Sequence, residues 1–136
     1  MLVVDSSFLV AALFEEEYTS FVEGVLGVRL GEDLIAPALL RWEIANVVRT
    51  KATKGLIDAA AAEARLGAVE ALGVRSPDHE PTPTDLLRLA LSSSLSVYDA
   101  AYVDLAVGES CALATLDRRM ARVAGALGVA VVSPFT

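Results

Sequence analysis

Four acidic residues lie where a folded α/β domain would bring side chains together: Asp5, Glu43, Asp99 and Asp117. Asp5 and Asp117 each follow a short apolar run, LVV before Asp5 and CALATL before Asp117. Glu43 and Asp99 lie within helical patterns, on or beside apolar stripes. Two carboxylates about 4 Å apart repel by about 4 kcal/mol even at an effective dielectric constant near 20. A chain that gathers such groups generally needs a cation, and metal-dependent chemistry is therefore the first hypothesis.

Carboxylate oxygens are the ligands preferred by hard cations such as Mg²⁺, which keep much of their water shell. One or two such ions polarise a phosphoryl oxygen and generate hydroxide from bound water. Ser6, Ser7 and Thr115 are candidates to orient the carboxylates or a metal-bound water. The single histidine, His79, lies in a Pro-rich loop, where we expect it to be exposed and without a partner. The sequence contains no Gly-rich phosphate loop, nucleotide-binding fingerprint or zinc-ligand spacing that indicates a different chemistry.

Each acid also has a purely structural interpretation. Asp5 and Asp117 stand where they would cap the helices that follow them, and Asp99 has the spacing of a capping box with Ser96. Glu43 is different, because it lies in the middle of a helical pattern beside apolar neighbours and is either a boundary residue or a functional one. One site built from four segments accounts for all four positions better than three caps and a misplaced glutamate.

The elements that must position these residues follow from the apolar patterns. Short apolar runs predict five strands, at 2–4, 34–36, 74–75, 112–115 and 129–132. Helical patterns predict helices at 6–13, 18–26, 38–51, 57–72, 84–91, 96–107 and 118–127, the sixth capped by Ser96 and the fifth by Thr84. Strands that alternate with helices predict a parallel sheet covered on both faces. We therefore expect one domain over residues 1–136, a three-layer α/β/α sandwich with a central, mainly parallel five-stranded sheet.

The composition sets limits on the class of protein. The chain of 136 residues is 54% hydrophobic and 21% charged, which excludes a disordered chain. It lacks an uninterrupted apolar stretch of about 18 residues, so we expect no membrane-spanning helix. The chain begins with a strand-like run and no basic segment, which predicts a cytoplasmic protein without a signal peptide. The single cysteine, Cys111, cannot form an internal disulfide, in agreement with a reducing compartment.

The formal net charge of −7 by itself argues against tight, non-specific binding to nucleic acid. The basic residues are nevertheless clustered, in one stretch from Arg41 to Lys54 and in another from Arg118 to Arg122. Such strips beside an acidic site could hold a phosphate backbone while a divalent cation offsets the carboxylates. Composition alone leaves this question open.

At this point the motifs match a known pattern, and the chain resembles the PIN-domain ribonucleases, especially the VapC toxins of toxin–antitoxin pairs. VVDSSFLVAALF is similar to the family's opening strand and first aspartate, and RWEIANVVRTKATKGLI to its glutamate-bearing helix. SVYDAAYVDLA is similar to the third acidic motif, and LATLDRRMARVAGALGVAVVSP to the fourth acid with its basic helix and final strand. The two C-terminal motifs, with their spacing, are the most specific part of the resemblance.

The resemblance implies roles for individual residues. Asp5 and Asp99 would be the principal metal ligands, and Glu43 and Asp117 would complete the acidic cluster directly or through metal-bound water. Thr115 corresponds to a frequent Thr or Ser of the family, whereas Ser6 stands where Thr is common. The implied activity is a Mg²⁺- or Mn²⁺-dependent endoribonuclease in which metal-activated water attacks an RNA phosphodiester.

The resemblance also implies partners, namely RNA, a cognate antitoxin protein that blocks the site, and a second copy of the chain in a homodimer. Arg118, Arg119 and Lys51 are the candidates for contacts to the RNA backbone, with a solvated helix face as their structural alternative. Two other functions stay open at this stage. One is a PIN-like interaction module without catalysis, and the other is a metal-dependent phosphatase of the haloacid-dehalogenase type. The phosphatase fits poorly, because it requires a second Asp where this chain has Ser7.

Overall fold

Four parallel strands form the centre of the protein in the computed structural model, which describes residues 1–135. The strands are β1 (Leu2–Val4), β2 (Leu34–Ile35), β3 (Ala112–Ala114) and β4 (Val131–Val132), in the order β2-β1-β3-β4. The register pairs Leu2 with both Leu34 and Ala112, and Leu113 with Val131. After β1 the chain adds β2 on one side of it, and after β3 it adds β4 on the opposite side of the sheet. The topological switch point, where such sheets bind ligands, therefore lies between β1 and β3.

Seven helices surround the sheet within residues 1–135: α1 (Ser6–Leu13), α2 (Thr19–Val28), α3 (Leu40–Thr53), α4 (Ala59–Ala71), α5 (Pro83–Ser93), α6 (Val97–Gly108) and α7 (Arg118–Ala126). Helix α1 packs against α2, α3 and α4, while α6 packs against α5, α7 and the two central strands. The predicted α/β sandwich with a parallel sheet is thus confirmed. None of these helices has both the length and the apolar character needed to cross a bilayer.

The core consists of the two central strands and the helices that follow them. Leu2, Val3 and Val4 are fully buried, which explains why β1 reads as a continuous apolar run without alternation. Other large side chains that are fully buried in this core are Phe8, Leu9, Ile35, Ile44, Tyr102 and Leu113. Tyr102 is the one polar-tipped member of this set, and its hydroxyl requires a hydrogen-bond partner.

The prediction of five strands was wrong, since the described residues contain four. Val74–Arg75 forms a single bridge to Ile35 and extends no further, although Arg75 exchanges backbone hydrogen bonds with Leu34 and Ala36. Pro77 follows closely and lacks the N–H that a longer ladder requires. The last strand is also shorter than predicted, because the Val129 N–H still bonds to Ala124 at the end of α7.

The start of α5 also differs from the prediction, since Thr82 and not Thr84 caps this helix. The Thr82 hydroxyl accepts from the Asp85 N–H at 3.1 Å and the Asp85 carboxylate accepts from the Thr82 N–H at 3.4 Å. Pro83 occupies the first helical position, where its missing N–H does no harm. The T-x-x-D spacing and the proline were both visible in the sequence.

Candidate active site

Asp5 lies directly after β1 and caps α1. Its Oδ1 accepts hydrogen bonds from the Phe8 N–H at 2.9 Å and the Ser7 hydroxyl at 2.7 Å. Its Oδ2 accepts from the Thr115 hydroxyl at 2.5 Å. Asp5 is only 2% exposed, and burial raises its pKa to about 6 although all three hydrogen bonds oppose the shift. The negative charge of Asp117 raises the pKa of Asp5 slightly further.

The segment after β3 is locked to the segment after β1. Thr115 is fully buried, and its hydroxyl oxygen also accepts from the Asp117 N–H at 3.0 Å. The Ser7 hydroxyl oxygen likewise accepts from the Leu116 N–H at 3.0 Å. Asp117 then caps α7 by accepting from the Met120 N–H at 2.9 Å. These contacts hold the Asp5 and Asp117 side chains at the switch point.

Glu43 belongs to the first turn of α3 and is half-buried. Its Oε1 accepts a hydrogen bond from the Tyr102 hydroxyl at 2.5 Å. Burial raises the pKa of Glu43 and the charge of Asp99 raises it further, whereas the bond from Tyr102 lowers it. Burial and the Glu43 carboxylate together raise the pKa of Tyr102 far above its usual value, so its hydroxyl remains a donor at neutral pH.

Asp99 lies in the first turn of α6, where the Ser96 hydroxyl accepts from its N–H at 3.0 Å and caps the helix. Its carboxylate is half-buried and faces a cleft. Burial raises the pKa of Asp99, as does the charge of Asp117, and these outweigh the Ser96 hydrogen bond and the charge of Arg119. The predicted cap by Ser96 is therefore present, and the Asp99 carboxylate is directed to the acidic cluster.

The four predicted acids form an electrostatically connected series. The negative charge of Asp117 raises the pKa of both Asp5 and Asp99, and the charge of Asp99 raises the pKa of Glu43. Within residues 1–135, no three Asp, Glu, His or Cys side chains lie close enough to enclose an ion between them. A closed, all-protein cage is thus not formed. Mg²⁺ does not need one, because it is commonly held by one or two carboxylates with water and substrate phosphates. The donor set fits a hydrated divalent cation.

A cleft of about 640 Å³ opens onto this series. Its lining combines three acids, two guanidinium groups and two aromatic rings: Glu17, Asp99, Asp117, Arg118, Arg119, Tyr18 and Phe135. The Arg118 guanidinium carbon lies 4.0 Å from the centre of the Phe135 ring, and Arg119 donates to the Ser94 carbonyl at 3.2 Å. The cleft therefore offers both negative ligands for a cation and positive groups for an anion.

Lys51, a predicted contact to the RNA backbone, and Ser6, a predicted supporting residue, lie outside this cleft. Lys51 does not line the cleft, because its ammonium group pairs with Glu16 at 3.6 Å and sits 4.6 Å from the centre of the Phe14 ring. Ser6 lines a neighbouring cavity of about 320 Å³, and the serine in contact with Asp5 is Ser7.

Sequence reasoning missed Tyr102, which contacts Glu43. The signal was its position one helical turn after Asp99, on the same face of α6, as a polar-tipped ring at a core position.

The expectation that His79 is exposed and without a partner was wrong. Its Nε2 lies 2.6 Å from Asp104 Oδ2, and both side chains are about a quarter exposed, at 28% and 27%. The ring also packs on Gly108, where an added Cβ would stand 2.5 Å from His79 Cε1. The contact pins the Pro-rich loop to the C-terminal half of α6, away from the acidic cleft.

Comparison with known proteins agrees with this geometry. The PIN domain family matches residues 2–126. Ribonuclease VapC3 of Pyrobaculum aerophilum is 35% identical over 124 residues, which cover 88% of this chain and 92% of that protein. The crystal structure of PAE2754 from the same organism superposes with a TM-score of 0.73 at 25% identity, over 96% of this chain and 88% of its own. The crystal structure of FitAcB from Neisseria gonorrhoeae has the same fold, with a TM-score of 0.72 at 19% identity over 99% of both chains. The chain therefore belongs to the PIN-domain family, and within it is a relative of the VapC proteins.

Proposed function

We propose that this protein is a metal-dependent endoribonuclease that acts as the toxin of a type II toxin–antitoxin pair. The observation that carries the proposal is the connected series Asp5–Asp117–Asp99–Glu43 beside a cleft that also contains guanidinium groups. The 35% identity to a protein named Ribonuclease VapC3 supports RNA as the substrate. Mg²⁺ or Mn²⁺ is the cofactor class that carboxylate oxygens favour.

In this proposal Asp5 and Asp99 are the principal metal ligands, and Glu43 and Asp117 complete the site. When bound, the cation supplies an activated water and a counter-charge for the phosphodiester. Thr115 and Ser7 fix the direction of the Asp5 carboxylate, and Tyr102 does the same for Glu43. Because burial raises the pKa values of Asp5, Glu43 and Asp99, protons compete with the cation for these acids, and we expect metal affinity to fall as the pH falls.

The direct test is RNA cleavage by Asp5→Asn and Asp99→Asn with Mg²⁺ or Mn²⁺ supplied. We expect each variant to lose more than the roughly 100-fold typical of a residue that merely supports a metal ligand. Asp78→Asn, at an exposed position outside the cleft, is the matched control and should keep the wild-type rate. Wild-type rates in both site variants would refute the assignment.

A non-catalytic interaction module is the alternative that keeps the same fold. Calorimetric titration with Mn²⁺ distinguishes it, because such a module is expected to bind no stoichiometric metal. The proposed antitoxin partner is tested separately by the gene immediately upstream, where a short reading frame with a DNA-binding N-terminus is expected. Sedimentation of the purified protein tests the proposed homodimer.

A further inference from the structure

Three side chains form a stack at the rim of the acidic cleft. The Phe135 and Tyr18 rings meet edge to face, with their centres 5.6 Å apart and their planes at 88°. The Arg118 guanidinium lies over the Phe135 ring at 4.0 Å. All three line the cleft that contains Asp99 and Asp117. The stack joins the start of α2, the start of α7 and the segment after β4, which are far apart in the sequence.

Arg118 is set apart from the other predicted RNA-binding cations by its unused donors. Arg119 donates to the Ser94 carbonyl and Lys51 pairs with Glu16. Across the described residues 1–135, Arg118 has no hydrogen-bonded or ion-paired protein partner, and its contact is with the ring of Phe135. A guanidinium carries five N–H donors, and contact with a ring leaves them available. Phe135 therefore holds the Arg118 guanidinium in place, and no acid within residues 1–135 pairs with it.

The location of Arg118 defines the ligand it would take. It follows Asp117 directly and shares the cleft with Asp99 and Glu17. An anion beside these carboxylates needs a fixed positive group, because a freely moving side chain would lose rotamer entropy on binding. Guanidinium groups bind phosphate through paired N–H donors. The Arg118 guanidinium, which is unpaired in the described part of the chain, thus fits a backbone phosphate adjacent to the bond being cleaved.

We propose that Phe135 is a positioning residue for RNA, which holds Arg118 so that its guanidinium binds a backbone phosphate at the rim of the acidic cleft. This inference rests on the proposed ribonuclease function and adds to it. Tyr18 supports the Phe135 ring from its edge. The contribution of Phe135 to binding therefore depends on Arg118, and removal of the ring has no further effect once the guanidinium is absent.

The experiment measures fluorescence anisotropy of a labelled single-stranded 2′-O-methyl oligoribonucleotide, which resists cleavage, with Mg²⁺ present. Phe135→Ala should weaken binding by about threefold to tenfold, in the range expected for a cation–π contact. Phe135→Tyr keeps the ring and should restore the affinity. Arg118→Ala should weaken binding at least as much and lower the salt dependence by about one phosphate contact. Arg88→Ala, which removes an exposed charge of α5 outside the cleft, is the matched control and should bind as the wild type does.

The double variant Phe135→Ala/Arg118→Ala decides the mechanism, and we expect it to bind as Arg118→Ala does. Additive losses, or unchanged binding by Phe135→Ala, would overturn the inference while RNA cleavage by the wild type leaves the proposed function in place. A wild-type chain that neither binds nor cleaves RNA would overturn both. In cleavage assays Phe135→Ala should raise KM with little change in kcat, and an unfolding curve at the wild-type position excludes a merely structural loss.

Discussion

The Tyr102 hydroxyl donates a hydrogen bond to Glu43 Oε1 at 2.5 Å and so connects α6 with the first turn of α3. Tyr102 is fully buried, whereas Glu43 is half-buried. The hydroxyl of this core tyrosine thus contacts a carboxylate of the proposed metal site directly. A carboxylate with one oxygen bound to a phenol has a fixed orientation. The second oxygen of Glu43 therefore remains available as a ligand.

Tyr102→Phe removes this bond while the ring continues to fill the core. We expect a stability loss of about 1.5–3 kcal/mol, the range for a hydrogen bond to a charged group, and a reduced cleavage rate because Glu43 is no longer oriented. Urea unfolding and RNA cleavage measure the two effects. Tyr98→Phe, at a position of α6 that is 66% exposed, is the control and should change neither. An unchanged cleavage rate in Tyr102→Phe would show that the bond serves the fold alone.

Asp5 should make the metal-free protein less stable at neutral pH than at pH 4. Its pKa rises from 3.8 to about 6 on folding, so the folded state binds the proton more tightly than the unfolded state. The free energy of unfolding contributed by this group therefore falls as pH rises from about 4 to about 6, by at most about 3 kcal/mol, and is constant above. Asp5→Asn removes the penalty and still caps α1.

The measurement is urea unfolding of wild type and Asp5→Asn in the presence of a chelator, at pH 4.5 and pH 7.5. We expect Asp5→Asn to gain about 1–3 kcal/mol relative to wild type at pH 7.5, and less at pH 4.5. A difference that does not change with pH would contradict the raised pKa of Asp5.

Added Mn²⁺ should reverse this pH dependence, because the cation binds the ionised acids. At a concentration about 100 times its Kd, it should raise the free energy of unfolding by about 2.7 kcal/mol at pH 7.5, and by less at pH 5.5, where protons compete for Asp5. Thermal unfolding with and without Mn²⁺ gives the comparison. Asp99→Asn should lose most of the stabilisation. An equal gain in wild type and Asp99→Asn would place the ion elsewhere.

Thr115 provides a test of how the Asp5 carboxylate is held. Thr115→Val keeps the shape but removes the donor to Asp5 Oδ2 and the acceptor for the Asp117 N–H. We expect a loss of about 1–3 kcal/mol in unfolding and weaker Mn²⁺ binding by calorimetry. Thr115→Ser retains the hydroxyl and should retain most of the metal affinity. If Thr115→Ser is as impaired as Thr115→Val, packing of the methyl group is the cause.

Gly108 provides a test of the His79 loop. Replacing a glycine in a helix by alanine generally raises the free energy of unfolding by up to about 1 kcal/mol. At Gly108, however, the new Cβ would meet the His79 ring. Gly108→Ala should therefore fail to stabilise the wild type, since the ring must move away from Asp104. In a His79→Ala background the same change should stabilise by about 1 kcal/mol. Equal effects in the two backgrounds, measured by urea unfolding, would show that the contact does not restrain the loop.

The sequence predicted most of the fold because local signals agree with the tertiary structure. The apolar run before Asp5 and the caps at Ser96 and Asp117 gave the ends of β1, α6 and α7 close to their observed positions. The prediction of a fifth strand failed because the apolar pattern does not report strand pairing. Val74–Arg75 pairs only with Ile35 of the edge strand β2, and Pro77 ends that pairing.

Candidate site residues were recognisable where they interrupt a pattern, as Glu43 does within an apolar stripe. Contacts between distant segments were not recognisable. Tyr102 on Glu43 and His79 on Asp104 depend on how helices and loops face one another in space. Lys51 was predicted to contact RNA for the same reason, because its ion pair with Glu16 was not evident from the spacing of the two residues.

The capping roles of Asp5 and Asp117 bear on how such a chain changes over generations. A helix cap requires only a side-chain oxygen, and asparagine or serine would cap α1 and α7 about as well without bringing like charges together. A lineage that kept this fold but no longer used a cation would be free to drift to those neutral residues, and would gain stability at position 5. Negative charge at both caps therefore exceeds what helix capping requires, and it is the charge that the proposed cation would need.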